Sequence, residues 1–291
     1  MSDVSVHHLL NTATVALRDV RCRGTCRHRS AEECASSTHL VFPYRGTYVR
    51  HLGRDDAVAE ASQVLFFNPS EGYRVSHPIE GGDACLDIVV DSELLRELAP
   101  KALLREQADL AFRRQQLSID PHTQTQLALL RHNLHQRVAE PLEAESLLLA
   151  LVRQVLGSGT LRRQESSTGK QKIVDRVKLA LATDLSRRWT LSEIAEQVGG
   201  SPVYLTQVFQ QVEGVPLYRY QLGLRLARAL DLLGKYDDLA ALSYELGFSS
   251  HSHFSAAFLR TYGQAPSEFR QLALRRKSLK NVTAISPHRV V

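Results

Sequence analysis

The most reactive side chains in this sequence are four cysteines. Cys22-Arg-Gly-Thr-Cys26 is a Cys-x3-Cys run followed by Arg27-His28, with Cys34 and Cys85 further on. Thiolates beside a histidine hold zinc tetrahedrally, and accessible thiols act as redox switches. Cys22, Cys26 and Cys85 are the candidates for such a metal or thiol site. The competing reading is ordinary thiols, some packed as small hydrophobes, and the irregular spacing favours it. Over 291 residues that spacing does not suggest a disulfide scaffold either. His39, His51 and His77 lie far apart, and each reads as a surface or hydrogen-bonded histidine rather than a metal ligand. No glycine-rich phosphate loop and no Ser/His/Asp pattern stands out.

A second constellation suits recognition better than catalysis. Ser201-Pro-Val-Tyr-Leu205 opens a helix with a serine N-cap and a proline at its first position. That helix buries Leu205, Val208, Phe209 and Val212 and leaves Tyr204, Thr206, Gln207 and Gln210 on its other sides. The glycines Gly199-Gly200 before it end the preceding helix, Ser192 to Val198. About forty-five residues on, the pattern recurs. Leu239 to Leu246 forms a helix, Gly247 ends it, Ser249 or Ser250 caps the next, and Phe254, Ala257 and Phe258 are its buried face. His251, Ser252, Ser255 and Ala256 stay outward. Glutamine pairs bidentately with adenine, and His, Ser and Thr reach base edges or phosphates. Tandem helix-turn-helix units of this kind read double-stranded DNA.

These units need elements to carry them. Pro216 to Leu233 is a long helical pattern with a stripe at Leu222, Leu226, Ala229, Leu230 and Leu233, a rigid spacer between the units. Ile173 to Leu185 is amphipathic and precedes the first. Before residue 157 the chain changes character. His39–Pro43, Gly46–Arg50, Val64–Phe67 and Leu86–Val90 are short β-branched or aromatic runs set between turn residues, as in a sandwich or small barrel. Ser92 then starts a short helix. Thr123 to Val138 and Leu142 to Leu156 read as an antiparallel helical hairpin broken at Glu140-Pro141. The face Leu127, Leu130, Leu134 and Val138 fits either the sheet or a second copy of itself. The Gly/Ser-rich stretch around Gly157–Gly169 is a linker.

Charge is distributed unevenly. The net value is +5, yet the first 170 residues hold 20 Lys and Arg against 21 Asp and Glu, and the remainder holds 16 against 10. A polyanion partner for the C-terminal part is the simple reading, and a solvated basic surface the bland one. No apolar run approaches the ~20 residues that span a bilayer, and Met1-Ser-Asp-Val lacks a basic, apolar leader. A soluble cytoplasmic protein without membrane contact is the expectation.

The stretches Leu191-Ser-Glu-Ile-Ala195, Ser201–Leu205, Arg225-Leu-Ala-Arg-Ala229, Ala240-Ala-Leu-Ser-Tyr-Glu-Leu-Gly-Phe-Ser-Ser250, His253-Phe254, Phe258 and Gly263-Gln-Ala-Pro-Ser-Glu-Phe-Arg270 together resemble the DNA-binding domain of the AraC/XylS family of transcription regulators. The resemblance runs from about Lys172 to Arg270. It implies seven helices, with two recognition helices in successive major grooves. It implies base contacts at Val203, Thr206 and Gln207, and at His251, Ser252, Ser255 and Ala256. With Tyr204, Gln210 and Arg260 these form the candidate DNA-binding set. Gln207 and Ala256 depart from the family, which often has arginine there, so the operator does not transfer from a relative. Arg187, Arg188, Arg219, Arg260 and Arg270 are candidates for phosphate contact.

More loosely, Pro43–Tyr48, Phe67–Pro78 and Gly81–Asp83 are similar to the family's cupin-like sensing domain. The fold class implied is α+β: a cupin-like barrel with a helical hairpin over 1–156, a linker over 157–171, an all-α DNA-binding domain over 172–275 and a basic tail over 276–291. The function implied is a dimeric, sequence-specific DNA-binding regulator of transcription with a small-molecule effector, RNA polymerase as a partner and no cofactor. Aromatic residues such as Phe42, Tyr44, Tyr48, Phe66, Phe67 and Tyr73 would line an effector pocket or fill the core. Two alternatives remain. One is a metal- or thiol-sensing regulator. The other is a cupin-type enzyme domain fused to a DNA-binding domain, disfavoured because no His-x-His pair is present. The Cys-x3-Cys run is also similar to the zinc module of alkylation-repair regulators, but the second close cysteine pair of that module is missing, so methyl transfer is not expected.

Overall fold

Alternation along three neighbouring strands explains the N-terminal architecture. The computed structural model describes residues 4–105, 110–157 and 168–274. Strands β1 (Val4–Asn11), β2 (Val15–Cys22), β4 (His39–Arg45), β7 (Gln63–Phe67), β9 (Asp83–Val90) and β10 (Gln116–Ser118) form an antiparallel sheet in the order β1-β2-β9-β4-β7-β10. A second antiparallel sheet has the order β3-β8-β5-β6, from β3 (Glu33–Cys34), β5 (Tyr48–Leu52), β6 (Asp55–Ala59) and β8 (Gly72–Ser76). Side chains alternate across each strand. Leu17, Leu40, Phe42, Phe66, Leu86 and Ile88 therefore share one face of the first sheet, and all are buried in one core with the helices. The intervening residues, among them Val20, Val41, Phe67 and Cys85, face the second sheet and pack with Tyr48, Tyr73 and Val75.

The predicted strands all form, with slightly different ends, but β1 and β2 lay outside the sequence reading. Their signal is masked because polar side chains alternate with apolar ones on an edge pair. In β2 even the core-facing set includes a carboxylate, Asp19, which is fully buried.

Helix α1 (Ser92–Leu98) follows β9, capped by the Asp91 carboxylate. The hairpin is α2 (Pro121–His135) and α3 (Pro141–Gly157). Its face Leu127 and Leu130 is buried in the sheet core of its own chain, which answers the choice between sheet and second copy for these residues. Apolar burial of this kind contributes about 1.5–3 kcal/mol per large side chain.

The C-terminal half is helical: α4 (Thr168–Thr183), α5 (Leu191–Val198), α6 (Pro202–Glu213), α7 (Leu217–Leu232), α8 (Leu239–Glu245), α9 (His251–Tyr262) and α10 (Pro266–Ala273). Of the stretch expected as a linker over 157–171, Gly157 closes α3 and residues 168–171 belong to α4. Residues 158–167 and the basic tail 276–291 lie outside the described residues. α7 is also more than an amphipathic spacer. It is buried on nearly every side because it packs on both helix-turn-helix units, on α2 and on β4.

α2 is thus a shared wall. Its opposite face, including Ala128, joins the core formed by α7, α8, α9 and α10. Arg131 on α2 makes a buried ion pair with Asp231 on α7 at 2.8 Å and lies over the Tyr44 ring, 3.8 Å from its centroid. His132 bonds the Leu230 carbonyl at 3.0 Å, and Gln136 donates to the Ala273 carbonyl at 2.8 Å. A second tie lies at the other unit. The ammonium of Lys178 on α4, almost fully buried, sits 3.0 Å from Glu213 and 3.9 Å from Glu60 of the sheet domain.

Candidate nucleic-acid interface and the barrel cavity

The first unit is α5, a glycine turn and α6. Thr190 and Glu193 cap α5 reciprocally, and Arg187 pairs with Glu193 at 2.7 Å. Gly199 and Gly200 both adopt positive φ, which lets the chain reverse between the helices. Ser201 then caps α6 by accepting the Tyr204 N–H at 3.2 Å. Leu205, Val208, Phe209 and Val212 are buried, as their spacing predicts. Val203, Tyr204, Gln207 and Gln210 are exposed, while Thr206 is half-buried and its hydroxyl donates to the Val203 carbonyl at 2.8 Å.

The second unit is α8, Gly247 and α9. Ser250 is the cap, accepting from the His253 N–H at 3.1 Å. Phe254, Ala257 and Phe258 are buried. His251, Ser252, Ala256 and Arg260 are exposed, and Ser255 is half-buried and 3.3 Å from the His251 ring nitrogen. One residue that sequence reasoning passed over, Leu259, is half exposed on the same outer face. Its apolar type hid it, since only the tertiary contacts show which side of α9 is covered.

The two units are pinned to one another by Arg225 of α7. Its guanidinium donates to the carbonyls of Leu185, Ser186 and Arg187 before α5 and to that of Gly247 in the second turn, over 2.6–3.1 Å. Gly247 approaches this segment so closely that a Cβ there would fall 2.1 Å from the Ser186 carbonyl oxygen. The pin sets how α6 and α9 are presented relative to each other.

Of the arginines considered for phosphate contact, Arg188, Arg219 and Arg260 are exposed. Arg270 instead donates to the Tyr236 and Asp237 carbonyls, and Arg187 also stacks on Trp189. Five of the C-terminal cations, Arg275, Arg276, Lys277, Lys280 and Arg289, lie outside the described residues, so residues 171–274 hold only 11 cations against 10 acids.

The other feature is a cavity of about 560 Å³ between the two sheets, lined by Val20, Val41, Tyr48, Phe67, Tyr73 and Val75 and by the polar groups Arg18, His39 and Asp87. All four cysteines also line it. None forms a disulfide; Cys26 and Cys34 are exposed and Cys85 is buried, where desolvation pushes its thiol well above the usual range. Of the predicted pocket aromatics, Phe42 and Phe66 belong to the core on the other side of the sheet, and Tyr44 packs against it. His39 is held by Asp87 at 2.9 Å, and His51 by Asp56 at 2.6 Å and Ser76 at 2.8 Å. Cys22, His77 and Asp83 could together hold a metal. A second cavity of similar volume, beside Thr12–Ala16 and Asp91, is more polar and is lined by neither cysteine nor histidine.

Comparison with known proteins agrees with the geometry of the C-terminal half. Residues 194–272 match the family model described as a helix-turn-helix domain. The transcriptional activator RhaR of Klebsiella pneumoniae is 30% identical over 147 residues, half of this chain and 52% of RhaR. The probable transcriptional regulator LumQ of Photobacterium leiognathi is 24% identical over 243 residues, 80% of this chain and 92% of LumQ. A solved AraC-type DNA-binding domain protein from Chromobacterium violaceum is 27% identical, covering 38% of this chain and 98% of that one, with a TM-score of 0.35. The chain spans about half the length of RhaR and less of the Msm operon regulatory protein of Streptococcus mutans, where 39% is covered. Among the described residues no helix is long and apolar enough to cross a membrane. Residues 194–272 are a helix-turn-helix domain of the AraC type.

Proposed function

We propose that the protein is a sequence-specific DNA-binding regulator of transcription whose sheet domain senses a small molecule. The observation that carries this reading is the pair of capped helices, α6 and α9, each with a buried apolar face and an outward polar one. Base contacts are assigned to Val203, Tyr204, Thr206, Gln207, Gln210, His251, Ser252, Ser255 and Ala256, with Arg260 on phosphate. Because Thr206 bonds its own helix, Gln207 is the strongest candidate for direct readout in the first unit. Where Ala256 takes the place of an arginine, shape and deformability of the site carry more of the specificity.

The cavity between the sheets is the effector site. It is concave, mostly apolar and provided with Arg18, His39 and Asp87, a combination that suits a small ligand with a polar group. The ligand would change how α2 holds α7, since Arg131, Tyr44 and Asp19 form a continuous chain between the sheet and that helix. We read the chain as a sensing domain over 1–156, a linker, a DNA-binding domain over 172–275 and a basic tail. The regulator works in the cytoplasm, contacts RNA polymerase and is not an enzyme. It dimerises through the outer face of the hairpin, where Leu142 is three-quarters exposed.

Nuclease footprinting of the full chain on its own promoter region tests the central claim. A protected site spanning two successive major grooves is expected at moderate salt. Protection that is absent at both low and moderate salt overturns it. Light scattering of the same sample tests the dimer.

A further inference from the structure

One corner of the barrel cavity has chemistry that a purely organic effector does not need. Cys22 ends β2, and in the ladder it stands directly opposite Asp83, the first residue of β9. Side chains opposite each other in an antiparallel pair share a face, so the thiol and the carboxylate project to the same side. His77 follows β8 and is brought to them by backbone contacts. Its N–H donates to the Cys26 carbonyl at 2.8 Å, which ties the Cys22–Cys26 segment across the turn leading into β9. Two glycines make that crossing possible. Gly24 and Gly82 both have positive φ; a Cβ on Gly24 would sit 2.6 Å from the Gly82 Cα, and one on Gly82 would sit 2.2 Å from the Cys22 carbonyl oxygen. As a result, donor atoms of Cys22, His77 and Asp83 all lie within 4.8 Å of one another.

The histidine supplies the independent observation. His77 is 6% exposed, its Nε2 lies 2.8 Å from an Asp83 carboxylate oxygen, and its buried Nδ1 has no hydrogen-bond partner. Buried polar atoms are nearly always satisfied. The other two histidines of this domain considered above have both ring nitrogens engaged. The Nε2–Asp83 contact aims this imidazole at the carboxylate and the Cys22 thiol, so a cation seated among the three donors would replace that hydrogen bond.

We propose that Cys22, His77 and Asp83 form a binding site for a divalent cation of the zinc class on the wall of the effector cavity. One thiolate, one imidazole and one carboxylate are the mixed set such ions accept. Monovalent copper favours all-sulfur sets and magnesium or calcium all-oxygen ones. Three protein ligands leave a fourth position for a small-molecule donor from the cavity. The cation would fasten the β2 end, the turn after β8 and the start of β9 to one another. The inference rests on the reading of the sheet domain as the sensing half, and it makes that half a sensor of the metal or of a metal-bound ligand.

Titration of the reduced full-length protein with cobalt(II) tests the site. The expected result is binding of one equivalent with a thiolate-to-cobalt charge-transfer band in the near ultraviolet, abolished by zinc. Cys22→Ser removes the band, Asp83→Asn weakens binding at least about tenfold, and Cys34→Ser leaves the band in place. Binding far below one equivalent, or a band that survives Cys22→Ser, overturns the proposal. Circular dichroism melts of each variant separate loss of a ligand from loss of the fold. Footprinting of the same samples keeps the two readings apart: cobalt binding without a footprint refutes DNA regulation and leaves the site standing, and a footprint without cobalt binding does the reverse.

Discussion

The two helix-turn-helix units have the same local grammar and different interiors. Each has a glycine turn, a serine cap and a twelve-residue second helix. The first is filled with aliphatic side chains, with a single ring pair, Phe209 against Tyr220 at 5.1 Å. The second is filled with rings: Phe254 lies 5.2 Å from Phe248 and 5.8 Å from Phe258, and Phe258 lies 4.7 Å from Tyr262. Their attachments differ as well. The second unit shares its core with α2 of the N-terminal half, and the buried Arg131–Asp231 pair lies beside that junction. The first is tied to the sheet domain by the Lys178 contact with Glu60. The two units are therefore attached to the sheet domain differently. Under the proposed function, the unit that shares a core with the hairpin is the one through which a change in the sheet domain would be transmitted most directly.

The largest effect that would break this comparison is a cavity in the ring cluster. Phe258→Ala is expected to cost about 3–5 kcal/mol in chemical denaturation and to loosen the α2 contact too. Leu205→Ala in the first unit should cost about 2–4 kcal/mol and leave that contact intact by hydrogen exchange. Equal loosening by both would show the units to be one cooperative block. Next, Arg225→Ala removes the pin between the units and leaves four carbonyls without a donor. A loss of about 3 kcal/mol is expected, and affinity should fall for two-groove sites more than for a single half-site.

Acid should act on the second unit's junction selectively. Burial pushes the His132 imidazole down to about 4, helped by Arg131. The folded value lies below the unfolded one of 6.5. The unfolded chain thus binds the extra proton first, and stability is lost as pH falls from about 6.5 towards 4, by on the order of 2–3 kcal/mol. Asp231 adds in the same sense. Burial alone would raise its carboxyl, but Arg131, Lys235 and Arg228 outweigh that and hold it below the usual range, so its contribution also falls as pH drops through the folded value. Denaturation midpoints of the wild type and His132→Gln across that window check it; parallel curves would remove His132 as the cause.

The smallest effects separate base reading from phosphate contact. Gln207→Ala should lose about 1–3 kcal/mol of discrimination at one base pair. Arg260→Ala should weaken all sequences alike and lower the salt slope by about one. Uniform weakening by Gln207→Ala would make it a phosphate contact.

Much of the DNA-binding half was legible in the chain because its signals are local. Ser201, Gly247 and the i, i+3, i+4 spacing of Leu205, Val208 and Phe209 each act within one or two turns of helix. The sheet-containing half was legible only in outline. Four strands stood out as apolar runs, whereas β2 was hidden by Arg18, Asp19 and Arg21, which are polar yet partly or wholly covered. A buried charge is intelligible only beside its partners, here Tyr44 and His135 for Asp19, more than a hundred residues away in the second case. Cys22 and Cys26 drew attention as a pair, but the cluster that formed joins Cys22 to His77 and Asp83 through strand register and two glycine contacts, which no sequence spacing encodes.

By itself the sequence determined the tandem units, their caps and their outward residues, because helix periodicity and capping are short-range. Tertiary structure alone decided that α2 is a wall shared by both halves, that Arg225 joins the two units, and that the four cysteines meet in one cavity. Those outcomes depend on which faces of distant elements are pressed together, and burial of that kind is settled only when the whole chain has packed.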